Sequence, residues 1–140
     1  MRVTALFIGL VLASPGWAEV ARVKSSSGSA FVLRGAAQMA ARPGLVLLEK
    51  DQLLTKKDGR MALTFIDNTR FALGPNSNVS VAKFLFDRKT QRGEFEAKVN
   101  RGSLAVVSGQ IAKNQKDAMK VRTPTTLLGV RGTRFVVNVP

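Results

Sequence analysis

After residue 29 the sequence never settles into a helical period. Apolar residues alternate with polar or small ones in short runs, and turn residues end each run. Met61, Leu63 and Phe65 alternate with Ala62, Thr64 and Ile66. Phe71 and Leu73 resume the pattern after Asp67-Asn68, and Val79 and Val81 follow the turn Gly74-Pro75-Asn76-Ser77-Asn78. Phe95, Ala97 and Val99 alternate with Glu94, Glu96 and Lys98. A period of two places alternate side chains on opposite faces of a strand, so each run reads as a half-buried strand. Turns recur about every 8–12 residues, which is an all-β pattern. The expected fold class is all-β, with short strands and tight turns forming a β-helix-like roll; a β-sandwich is the alternative.

Local patterns add detail. Residues 35–41 are alanine-rich and read as a helical turn, ended by Pro43-Gly44. Residues 45–54 read as two short strands with a corner at Glu49-Lys50-Asp51. Asp58-Gly59 is a hairpin-turn dipeptide. Phe84 and Phe86 fall out of phase with Val79 and Val81, which calls for a bulge. Residues 87–93 and 113–117 read as loops, and Arg101-Gly102 as a turn.

The amino-terminal stretch has a different character. Arg2 is followed by an apolar or small run from Ala5 to Ala13, broken by Ser14-Pro15-Gly16, and Ala18 supplies a small residue for cleavage. This reads as a secretory signal peptide over residues 1–18, leaving 19–140 as one domain. Such a run is shorter than the about 20 residues that a bilayer core requires, so no transmembrane span is expected after cleavage. The implied location is periplasmic or secreted. Cysteine is absent, so disulfides do not hold the domain and its core must. A domain of about 120 residues buries about two-thirds of its unfolded surface, which makes that feasible.

Lys and Arg number 22 against 9 Asp and Glu, a formal net charge of +13, and the leader removes only Arg2. Such a chain favours anionic partners by an attraction that salt weakens. Histidine, cysteine and tyrosine are all absent, and Trp17 lies in the leader. The commonest general base and the thiol nucleophile are therefore missing, and no enzyme is expected. Ser108 with Lys113, or Ser103 with Lys120, would be nucleophile–base pairs, but no motif sets either apart. Asp58, Asp67 and Asp87 sit at turns, where aspartate bonds its own backbone. No run supplies the clustered oxygens of a calcium site, so neither a metal nor a cofactor is expected. Gly129-Val130-Arg131-Gly132 matches the Gly-x-x-Gly loop of KH domains. Strands rather than helices flank it, no aromatic set for base stacking is evident, and no nucleic-acid partner is expected.

The carboxy-terminal segment is the most patterned. Thr123-Pro124 leads to Gly129-Val130-Arg131-Gly132-Thr133, then to an alternating strand with Phe135, Val137 and Val139 on one side. Pro124 fixes an extended entry, and the two glycines permit positive φ or close backbone approach. Arg131 is expected to pair with a buried carboxylate or cap exposed carbonyls, so that a fixed guanidinium ties strands together; the alternative is a solvated turn residue. These residues resemble the closing signature of the FecR domain family. Gly44-Leu45 followed by Asp51, Leu54 and Thr55 is similar to its entry. Met61 to Phe65 with Asp67 and Phe71 to Leu73 is similar to its central strand pair. Pro75-Asn76-Ser77 and Arg101-Gly102-Ser103-Leu104 follow in the family's order, so the resemblance covers roughly residues 20–140. Arg134 stands where the family often has an acidic residue.

The founding member of that family is an inner-membrane regulator of iron-citrate uptake that relays a transporter's state to a sigma factor. That relay needs an anti-sigma segment and a membrane span ahead of the domain, and this sequence is expected to carry neither. The resemblance therefore implies a non-catalytic, exported interaction module of an envelope or cell-surface signalling system. An anionic envelope glycan or lipid surface is the alternative partner. Arg131 and Arg134 are the candidate contacts.

Overall fold

The computed structural model describes residues 18–140, so the signal peptide expected over 1–18 lies outside the described residues except for Ala18. The strands are β1 (Glu19–Ser27), β2 (Ala30–Arg34), β3 (Ala37–Ala40), β4 (Val46–Leu48), β5 (Gln52–Thr55), β6 (Arg60–Phe65), β7 (Arg70–Leu73), β8 (Asn78–Asp87), β9 (Arg92–Val107), β10 (Met119–Arg122), β11 (Leu127–Gly129) and β12 (Arg134–Val139). Among the described residues one short helix, α1 (Gln110–Asn114), interrupts them. The fold is all-β, as the alternating runs require.

The strands make a curled half-barrel sheet with two leaves that share β9. Leaf A runs β4-β1-β6-β7-β9-β12. Leaf B runs β3-β2-β5-β8-β9-β10-β11. Among the described residues only β9 and β10 pair in parallel. The stacked parallel coils of a β-helix-like roll are therefore not established; antiparallel ladders join both sequence neighbours, such as β6 with β7, and distant strands, such as β1 with β6.

The joint lies within β9. Phe95, Ala97 and Val99 point inward in its first half, and Leu104 and Val106 in its second, so the inward parity flips between them. Gly102 makes the flip possible at φ +91. A Cβ there would lie 2.3 Å from Ser77 Oγ and 2.4 Å from Ser77 Cα. Arg101-Gly102 is thus a bend inside one long strand, not the expected turn between two. Phe65 and Phe71 from leaf A meet Phe84 and Phe95 from leaf B inside the curl, with centroids 4.6–5.6 Å apart. Edge and tilted contacts of this kind add to the burial of each ring. Phe84 reaches that cluster because the β8 register slips between Val81 and Lys83, the bulge that the phase demanded.

Two other expectations change. Residues 37–40 form edge strand β3 on β2, not a helical turn. A short isolated turn gains little from helix nucleation, whereas the adjacent β2 edge supplies a full ladder of hydrogen bonds. Asp58-Gly59 closes no hairpin, because β5 pairs with β2 and β8 while β6 pairs with β1 and β7. It carries the chain between leaves. Asp67-Asn68 does close the β6–β7 hairpin, with Asn68 at φ 71.

Candidate functional site

The carboxy-terminal segment bridges the far edges of the two leaves. Thr123 donates its N–H to the Thr126 carbonyl at 2.8 Å, closing the turn that holds exposed Pro124 between β10 and β11. Gly129 ends β11, and Val130 donates to the Met119 carbonyl at 3.0 Å while its side chain is buried. The chain then crosses to leaf A. Gly132 turns at φ +93, its carbonyl takes the Ser108 hydroxyl at 2.9 Å, and the Thr133 carbonyl takes the Ser108 N–H at 2.8 Å. β12 follows on β9, with Val137 buried and Phe135 and Val139 packed against the core.

Arg131 does not make the expected pair with a buried carboxylate. It is exposed and has no ion pair among the described residues. Val130 takes the inward place, which turns its neighbour outward. Arg134 is likewise exposed and unpaired at the start of β12.

The guanidinium–carboxylate tie exists elsewhere. Arg34 grips Asp51 with both prongs, Nε to Oδ1 at 2.9 Å and Nη2 to Oδ2 at 2.8 Å, and also donates to the Val46 carbonyl at 3.0 Å. Asp51 is buried and accepts the Leu48 N–H as well, so the end of β2 is fastened to the β4–β5 corner. Asp67 is buried too. It accepts the Thr69 N–H and hydroxyl and the Ile111 N–H, which docks α1 onto the β6–β7 turn. Thr55 donates to the Gly74 carbonyl and accepts the Ser77 N–H, fixing the crossover beside Gly102. An aspartate at the head of an apolar run was the available signal for Asp51. The inward leucine of that strand is Leu53, with Leu54 only half-buried.

The outer faces of the two leaves differ sharply in chemistry. On leaf B, Lys83 pairs with Glu94 and Arg122 with Glu96, beside Lys98 and Lys120. The Lys83 ammonium holds the Glu94 carboxyl below its ordinary pKa, and Glu94 raises that of Lys83 in return. A polar cleft of about 370 Å³ opens there over Lys83, Glu94, Gln115 and Lys120.

Leaf A presents two cross-strand rows. One runs Ser25–Ala62–Ala72–Ala105–Val136, and Val136 is 70% exposed. The next runs Arg22–Thr64–Arg70–Val107–Arg134. Lys24, Arg60, Arg70 and Arg134 have no ion pair among the described residues. Arg22 alone is engaged, with Glu19 at the margin, which holds that carboxyl below its ordinary pKa. A shallow depression of about 620 Å³ lies over Ala62, Arg70, Ala72, Ala105 and Val107.

Neither serine–lysine pair is joined by a hydrogen bond among the described residues. The Ser108 hydroxyl donates to Gly132, and the Ser103 hydroxyl to Asn138. Among the described residues no three His, Cys, Asp or Glu side chains cluster as metal ligands, and no helix is long and apolar enough to cross a membrane. What the surface can do is hold carboxylates, through guanidinium forks beside a flat small-residue floor. A family model described as FecR protein matches residues 51–139, which takes in β5 to β12 and the whole carboxy-terminal segment. No curated protein and no solved structure matches the chain.

Proposed function

This chain belongs to the FecR family, and we propose that it is a non-catalytic interaction module that docks a protein partner in the bacterial envelope. The family is one of signalling regulators and is typically envelope-associated, involved in cell-surface signalling. The leader-like residues 1–18 support export to the periplasm. The observation that carries the reading is the exposed, unpaired state of Arg131 and Arg134 on a segment whose backbone is otherwise pinned.

Strand addition is one mode of docking open to that segment. The outer edge of β12 is unpaired among the described residues, so an extended strand can add to it. The two arginines then set which strands are accepted, since a carboxylate partner gains charge-assisted bonds and a basic one is repelled. Thr123, Pro124, Gly129, Val130, Gly132, Thr133 and Phe135 serve as the frame that presents them.

Cross-linking the full chain in intact cells tests the reading. A specific protein adduct is expected, and it should be lost in the Arg131→Ala, Arg134→Ala double variant while the circular dichroism of that variant is unchanged. Absence of any enriched protein, or an adduct indifferent to both arginines, contradicts it.

A further inference from the structure

We propose that the outer face of leaf A is the docking surface for an acidic helix of a partner protein. This rests on the reading of the chain as an interaction module and names what it binds. Charge carries the inference. Lys24, Arg60, Arg70 and Arg134 all project from this face without an ion pair among the described residues, and a carboxylate at its margin, Glu19, is already held by Arg22. The Glu19–Arg22 contact shows the chemistry on a small scale: a carboxylate that reaches the row is captured.

Spacing narrows the occupant. Arg22, Arg70 and Arg134 occupy every second strand of one cross-strand row, with Thr64 and Val107 between them. Strands lie about 4.8 Å apart, so the three guanidinium stems repeat about every 9.6 Å. Positions seven residues apart on a helix lie on one side and about 10.5 Å apart. A helix with acidic residues at that interval, laid across the strands, presents one carboxylate to Arg70 and the next to Arg134, the two members of the row that Glu19 does not already hold.

The neighbouring row explains why a helix fits. Ala62, Ala72 and Ala105 form a floor of short side chains behind longer arginines, and the depression of about 620 Å³ lies over it. A helix about 10–12 Å across covers β6, β7 and β9 together, as helices cover sheets in layered folds. Val136 lengthens the apolar row toward the β12 edge. A lipid surface suits this shape poorly, because the alanine floor is recessed among longer arginines and only Val136, at the edge, protrudes. A glycan suits it poorly too, because no aromatic side chain stands on these two rows to stack on a sugar.

Photo-crosslinking in intact cells tests the proposal, with a photoreactive residue placed in the full chain at Ala72, Ala105, Thr133 or Lys98 in turn. The expected result is adducts from Ala72 and Ala105, and none from Lys98 on leaf B. Mass spectrometry should place them in one acidic peptide with apolar residues at intervals of three and four. The Arg60→Glu, Arg70→Glu variant should lower the adduct yield at least tenfold while its thermal unfolding is unchanged. Adducts from Thr133 but not from Ala72 or Ala105 leave the interaction-module reading standing and overturn this surface. Adducts from no position overturn both. A lipid or glycan adduct, a peptide of the chain itself, or a yield unmoved by charge reversal also overturns the proposal.

Discussion

Both outer faces of the half-barrel carry lysines and arginines, but they hold that charge in opposite ways. Leaf B interleaves signs: Glu94 and Glu96 sit among Lys83, Lys98, Lys120 and Arg122, and two of those cations are taken in pairs. Leaf A leaves Lys24, Arg60, Arg70 and Arg134 of one sign beside a floor of alanines. Exposed pairs contribute little to stability, so leaf B's arrangement is chiefly a neutralised, solvated face. Unpaired like charges on a flat face repel one another and gain from an anionic partner. Net charge alone, at +13, does not reveal this, because it sums both faces.

The comparison breaks most completely at the joint. Gly102→Ala forces a side chain into φ +91 and onto Ser77, where the leaves meet. Strain and overpacking together should cost about 3 kcal/mol or more, lowering the urea midpoint and disturbing both faces at once. A variant as stable as the parent would show that the leaves are not coupled through β9.

Asp51→Ala is expected to cost about 2–3 kcal/mol in thermal unfolding. That is less than the 3–5 kcal/mol of a wholly buried pair, because the Arg34 side chain is 33% exposed. It should loosen the β2–β5 side of leaf B and leave leaf A's surface intact, which amide hydrogen exchange can check.

Smaller still is the expected effect of Arg60→Glu with Arg70→Glu, within about 0.5 kcal/mol of the parent, because both side chains are exposed and unpaired. A large destabilisation would mean that these arginines support the fold instead of waiting for a partner.

The subtlest change is Lys83→Met on leaf B. Removing the ammonium should return the Glu94 carboxyl from its lowered pKa toward the ordinary carboxylate value, which a carbon-detected NMR titration reads directly. The sign follows from the shift. A lowered carboxyl contributes stability above its unfolded-state pKa and loses it as pH falls through the folded value. Lys83, being raised, contributes below its unfolded-state pKa and loses it as pH rises through the folded value. The pair is therefore fully present at neutral pH, and its loss should appear only at the extremes.

The period of two in Met61–Phe65, Phe71–Leu73 and Phe95–Val99 was enough to read strands, because local alternation reports which face is buried. Pairing was less legible. Asp58-Gly59 looks the same whether it closes a hairpin or crosses between leaves, and Gly102 looks the same as a turn or a bend within one strand. Both depend on partners far along the chain. The same limit governs the site. The alternation of Phe135, Val137 and Val139 showed which side of the closing strand faces the core. The pairing of Asp51 with Arg34, seventeen residues away, and the alignment of Ala62, Ala72 and Ala105 exist only once the strands are in register. Arg131 was assigned the pairing role because it stood between two glycines, but a side chain next to inward-facing Val130 points to solvent.

The most direct test reverses equal charge on each face and compares partner recovery from intact cells. Arg60→Glu with Arg70→Glu on leaf A, and Lys98→Glu with Lys120→Glu on leaf B, change the net charge identically. If leaf A is the docking face, the first variant loses the cross-linked partner and the second keeps it. Equal loss from both would mean that overall positive charge recruits the partner, and loss only from the second would place the contact on leaf B.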